Sequence, residues 1–372
     1  NYVAGFREDK PHEVVQVEKP PLPDIAIDDT LQSAFARDIL ALPVTPIEPV
    51  FLKEGLQYEK ETEEGYVFYY TKNPVNDVFV LSIVVDFGTR QNNRMPIAER
   101  LLQRTGTAQL TAEELQMAWY KLGTSFSINV KDNQTVVSLS GLDSEFDASV
   151  ALLMEMLDHP KIDEEAFEEL KKIIEGQWED IKKNPQQISS ALVEFNRCGS
   201  EAAYLSLPSS RELYALTALE LQELLRKAFS HTQQVLYTGS LPRETVVETV
   251  KRHRLGTEVL AAPSYYLQQV REPESDEVFF LNRDMAQSHV RMEFGSIPYD
   301  PAISAAVQLY NMYFAGGMAG VVFQELREVR ALAYVVGARY VPGARRGDRN
   351  IMVGVIQTQT DKTVEAVTAF TE

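Results

Sequence analysis

Apolar and polar positions follow two periodicities along this chain, and the switches between them mark out its elements. Residues 78–88, VFVLSIVVDFG, are almost continuously apolar and β-branched, the composition of a buried strand. SFSINV and TVVSLSG alternate apolar with polar residues on either side of KDNQ, which predicts a β-hairpin over residues 125–141. TAEELQMAWYKLG has helical spacing: Thr111 stands at the N-cap, Glu114 three residues on completes a capping box, and Gly123 stops the helix. A longer helix begins near Asp163, carries Phe167, Leu170, Ile174 and Ile181 along one face, and ends before Pro185.

The second half repeats this order. A strand at residues 289–295 (HVRMEFG) precedes an apolar helix around AISAAVQLYNMYF, a glycine turn GGMAG and the helix VVFQELREVRALAY. Strands VVGARYV and NIMVGVIQT and a helix TVEAVTAF follow. Phe87-Gly88 corresponds to Phe294-Gly295 at an offset of about 210 residues, which reads as a tandem duplication of one α+β unit. Each unit is expected to be a mixed or antiparallel sheet with helices packed on one face. Seven of the 18 prolines fall by residue 49, so the start of the chain reads as an extended strap with one short helix near LQSAFARDIL. The expected division is a linker at 1–55, a first unit at 56–262 and a second, shorter unit at 263–372.

Charge narrows the functions. With 54 acids against 36 bases the formal net charge is −18, which disfavours nucleic acid as a partner. The longest apolar run, Val78–Val85, is interrupted by Ser82 and is far below the roughly 20 residues that span a bilayer, so no membrane span is expected. The single cysteine, Cys198, excludes an internal disulfide and suits a small core position. The chain opens at Asn1 without a signal-like segment and is expected to be a piece of something longer.

Direct signs of chemistry are few. The five histidines, His12, His159, His231, His253 and His289, are scattered, and no pair has the one-turn spacing of a helical zinc site. Each is expected at the surface or in a cap. The glycines of FAGGMAG lack the Lys-Ser/Thr of a phosphate cradle.

The stretch YFAGGMAGVVFQELREVRALAY resembles the C-terminal half of the pitrilysin/insulinase family of zinc metallopeptidases, with its glycine-rich turn, Leu-Arg-Glu helix and Leu-x-Tyr. In the other half of such enzymes an inverted His-x-x-Glu-His motif binds zinc, and a glutamate on a later helix completes the site. Here Pro96-Ile97-Ala98-Glu99-Arg100 occupies the equivalent slot, followed by the family-like Gly106-Thr107. Glu99 survives while both imidazoles are gone, so no metal is expected in this chain. Glu168 and Glu175 match the spacing of the family's distal glutamates, yet they lie in a helix crowded with acids, and a solvated face is the reading preferred for them.

The resemblance further implies that Arg327 and Tyr334, seven apart, reach into the zinc site of the N-terminal half. A guanidinium offers forked donors to a carbonyl or carboxylate, and a phenol can donate to a developing oxyanion. On a continued helix the two would project from one side, roughly 10 Å apart. The alternative is structural: Arg327 pairs with Glu325 or Glu328, and Tyr334 packs at a strand start.

Taken with the motif, these residues imply a catalytically silent C-terminal half that closes a chamber around unfolded peptide substrates. Zinc and the catalytic N-terminal half would be its cofactor and partner, and the periplasm or cell envelope its compartment. The rival reading is an inactive scaffold, assembly subunit or peptide-binding module of the same fold.

Overall fold

A computed structural model describes residues 32–253, 259–267, 270–343 and 347–372. The chain divides into two units, Asn1–Phe51 and Leu52–Glu372. In the first, Ala34–Leu40 is helical, and the hydroxyl of its N-cap Ser33 accepts from the Ala36 N–H at 3.1 Å. Beyond it Pro43, Pro46 and Pro49 hold the chain out of helix and strand, as the proline spacing predicts. The earlier prolines and His12 lie outside the described residues.

Among the described residues of the second unit the strands are β1 (Glu59–Glu63), β2 (Tyr66–Lys72), β3 (Val78–Val85), β4 (Gly106–Thr107), β5 (Ser125–Val130), β6 (Thr135–Leu142), β7 (Pro160–Lys161), β8 (Gln233–Gly239), β9 (Gln287–Pro298), β10 (Val335–Val341) and β11 (Arg349–Gln359). Six of them form a sheet in the order β1-β2-β8-β3-β6-β5, in which only β2 and β8 run parallel. Three more form the antiparallel order β10-β11-β9.

Part of this repeats. In β3-β6-β5 and in β9-β11-β10 a strand leads through two helices to a hairpin, and the second hairpin strand returns to pair with the first. The fold is α+β, with mixed and antiparallel sheets and packed helices.

Local chemistry accounts for the boundaries. The Thr111 hydroxyl accepts from the Glu114 N–H at 3.2 Å, and the Glu114 carboxylate accepts from the Thr111 N–H at 2.9 Å. Helix Ala112–Leu122 then stops at Gly123, whose φ of 63° is one that side chains resist. Gly88 lies against the backbone of the hairpin turn at Lys131 and Asp132, where a Cβ would overlap it.

Helix Met95–Leu102 buries Met95, Ile97, Ala98, Leu101 and Leu102 and packs on helix Ala218–Phe229. Behind the sheet, Phe79 meets Phe146 edge-on at 5.0 Å, and Phe146 meets Tyr237 at 5.3 Å. Each such fully buried side chain contributes about 1.5–3 kcal/mol. Arg197, on helix Pro185–Cys198, forks onto Glu293 of β9 at 2.8 and 2.7 Å, a bidentate tie between distant parts of the unit.

Three expectations need correction. β3 is not buried throughout: its burial alternates, and Val78 and Val80 are exposed, because helices cover one face of its sheet there. Ile181 does not join Phe167, Leu170 and Ile174 in the core, since it falls in the last turn of Glu164–Ile181, beyond the packed surface. His231 is no surface or capping residue: its ring stacks on Phe87 at 5.5 Å and its Nδ1 lies 2.7 Å from the Ala261 carbonyl. Cys198 is buried, as its residue type suggested. No described helix is long and apolar enough to cross a membrane.

Candidate functional site

The slot Pro96 to Arg100 lies on helix Met95–Leu102. Pro96 occupies the first turn, where its missing N–H costs no intrahelical bond. Glu99 and Arg100 turn to different neighbours instead of pairing on the helix surface. The Glu99 carboxylate accepts the Val130 N–H at 3.2 Å, on the outer edge of β5. Burial pushes its carboxyl above the ordinary range, partly offset by that hydrogen bond and by the Arg100 charge. Arg100 donates to Gln177 Oε1 at 2.6 Å. Helix Glu164–Ile181 therefore faces the slot through Gln177.

Glu168 and Glu175 are otherwise engaged. Glu168 pairs at 2.7 Å with the buried ammonium of Lys171. Glu175 accepts from the Tyr214 hydroxyl at 2.9 Å, and hydrogen bonds from Ser210 and Tyr214 hold its carboxyl below the usual range. This acidic helix is thus not solvated along the whole of that face; part of it docks on the short helix Ser210–Ala215.

The slot does not fit a zinc ion. Pro96 has no side-chain donor, and the Arg100 guanidinium is a cation with no lone pair to give. Among the described residues no group of three His, Cys, Asp or Glu side chains is placed to hold a metal.

Arg327 and Tyr334 come together by a route their spacing did not suggest. The helix does not continue through Tyr334. It begins at Val321–Phe323, widens into a π-turn over Gln324–Val329 and ends, and Ala331 then takes a left-handed φ of 49°. The reversal brings Tyr334 back over the helix it left, so the Arg327 guanidinium lies 5.0 Å from the Tyr334 ring centre. It also lies 4.6 Å from the Phe323 ring. Both contacts are in cation–π range. Glu328 approaches Arg327 Nε at 3.5 Å, so the local ion pair of the structural alternative forms as well.

Tyr334 is no packing residue: it is 70% exposed, while its N–H extends the sheet by donating to the Gln357 carbonyl at 3.2 Å. Phe323 went unnoticed in the sequence, although its position one helical turn before Arg327 was the available signal.

Residues 67–205 match the family described as insulinase (peptidase family M16), and residues 215–372 match the peptidase M16 inactive domain. An uncharacterized zinc protease of Rickettsia felis is 20% identical over 302 residues, 77% of this chain and 70% of that protein. The crystal structure of the peptidase M16 inactive domain from Pseudomonas fluorescens superimposes with a TM-score of 0.63 at 20% identity, over 84% of this chain and 77% of the other. The periplasmic protease PqqL from Escherichia coli gives a TM-score of 0.65 at 15% identity, over 91% of this chain but 40% of its own.

Proposed function

Because this chain belongs to the insulinase (M16) family of peptidases, we propose that it is the non-zinc-binding half of a zinc metalloendopeptidase, closing a peptide chamber whose zinc lies in an N-terminal half. The observation that carries this reading is the Arg327–Tyr334 contact, presented on the surface and not packed into the core. Phe323 and Tyr334 both lie within cation–π range of the guanidinium and help to position it. Its remaining donors are suited to a substrate carbonyl or carboxylate, and the Tyr334 hydroxyl can donate to an oxyanion. The edge of β5 and the chamber walls are this chain's other contribution. The periplasm or cell envelope fits this reading, since a periplasmic protease shares the fold.

The test is to combine this chain with its N-terminal half and zinc and to follow cleavage of a flexible peptide. Arg327→Ala is expected to lower kcat about 10²-fold to 10³-fold, with Tyr334→Phe showing a smaller loss. Unchanged rates for both variants overturn the assignment and favour a scaffold role. A zinc content near one per chain for this half alone contradicts the reading of the slot.

A further inference from the structure

A second polar site lies just ahead of the slot helix and is independent of Arg327 and Tyr334. Residues 89–94 (TRQNNR), with Glu201, Ser206 and Tyr266, line an open cavity of about 670 Å³. Its walls are fixed in advance. The Thr89 and Arg90 N–H groups donate to the Lys131 and Asp132 carbonyls at 3.0 and 2.8 Å. Asn133 grips the Tyr266 backbone from both sides, donating to its carbonyl at 2.8 Å and accepting from its N–H at 2.7 Å.

The Arg90 side chain is only 9% exposed. Its Nη1 donates to the Glu201 carbonyl at 3.2 Å, and its guanidinium stacks on Tyr266 at 4.8 Å. Nε and Nη2, however, are buried without a hydrogen-bond partner. The carboxylate beside Nε, that of Asp132, stands off at 3.5 Å and is itself largely exposed. A buried guanidinium with donors unmet is costly, and a carboxylate is the group whose geometry meets two of them at once. Arg94 adds a second positive charge at the far end of the loop. The carboxylates that feel it, Glu212 and Glu220, are already held in the capping boxes of Ser209 and Thr217.

We propose that this cavity is a subsite for the C-terminal carboxylate of a peptide. The carboxylate pairs with the charge of Arg94 and, on a rotation of the buried guanidinium towards it, with the donors that the fold leaves unmet on Arg90. The amide ends left over on Asn92 and Asn93 offer a donor and an acceptor to the peptide's last amide groups. Asp132 and Glu201 offset much of the positive charge of the two arginines, and together with the chain's net charge of −18 they disfavour a phosphate dianion.

The proposal is tested by calorimetric titration of the full chain with N-acetyl-tetraalanine as the free acid, with the same peptide as its C-terminal amide, and with sodium acetate. The free acid is expected to bind, the amide to bind at least about tenfold more weakly, and salt to weaken the difference. Equal binding of acid and amide, or no binding of either, overturns it. Acetate binding as tightly as the peptide acid overturns the peptide assignment and leaves a bare anion site. Arg94→Gln is expected to weaken the acid about tenfold without changing Tm. Arg90→Lys keeps a charge but loses the fork and should weaken it too, which guards against an Arg90→Gln variant that fails to fold. If both Arg94→Gln and Arg90→Lys bind the acid with unaltered affinity, the site is wrong.

Discussion

The two repeated hairpins place different residues in one local geometry. Gly123 and Ala331 both take left-handed backbone at the end of the second helix. Four residues before them stand Trp119 and Arg327; three residues after them stand Phe126 and Tyr334. In each copy the reversal folds the later ring onto the earlier side chain: Trp119 and Phe126 stack at 5.8 Å, and Arg327 lies 5.0 Å from the Tyr334 ring. Trp119 belongs to the core and Phe126 packs partly buried against it, whereas Tyr334, at the position equivalent to Phe126, is 70% exposed. The turn creates the contact in both, and only the first copy uses it for packing. In the second, the cation and the phenol stay at the surface beside the small core of Val322, Leu326, Leu332 and Ala333 and do not enter it.

The sharpest way to break this comparison is to remove the rings. Trp119→Ala is expected to destabilise the chain by about 3–5 kcal/mol, as large aromatic truncations in cores do. Tyr334→Ala should cost no more than about 0.5 kcal/mol, the usual limit for an exposed side chain. Urea unfolding of the two variants checks this, and equal losses would mean that the second pair is structural after all.

The turn residues give a smaller contrast of opposite sign. Gly123→Ala is expected to cost about 1–2 kcal/mol, because a Cβ in left-handed backbone is strained. Ala331→Gly should relieve that strain and stabilise by up to about 1 kcal/mol, less whatever the freer unfolded chain takes back. Thermal melts of both variants decide it.

The smallest effect concerns the helices that precede these hairpins. Met95–Leu102 is mostly buried and carries Glu99, whereas Ser304–Ala315 buries only Val307 and carries no acid. Burial raises the Glu99 pKa, so the folded state holds its proton more tightly than the unfolded one. The stability linked to Glu99 is therefore full below the ordinary carboxylate range and is lost as pH rises through its raised value. Glu99→Gln, which keeps an acceptor for the Val130 N–H, should be more stable than the parent at neutral pH and lose that advantage in acid. Parallel melts across pH measure the crossover, and an advantage that persists in acid contradicts it.

The sequence revealed most of what depends on local pattern. Thr111, Glu114 and Gly123 act as their spacing predicted, and the duplication appears as one repeated strand order. It concealed what depends on distant partners. Nothing near Gln177 signals that it faces Arg100, and the reading of Arg327 and Tyr334 as one helical stripe failed because Ala331, not a glycine, makes the turn. The cavity beside Arg90 draws on residues 89–94, 201, 206 and 266, a set no local pattern could assemble.

The position of β8 bears on how the chain acquires its shape. This strand sits between β2 and β3, yet it follows them by some 150 residues of mainly helical chain. During synthesis the inner edges of β2 and β3 must wait, unpaired, until Gly239 has left the ribosome, and open edges of that kind invite pairing with other chains. The three strands of the later sheet lie within one short stretch and face no such delay. The six-stranded sheet is therefore the one whose edges stay open longest, and it is where a holding chaperone has most to protect.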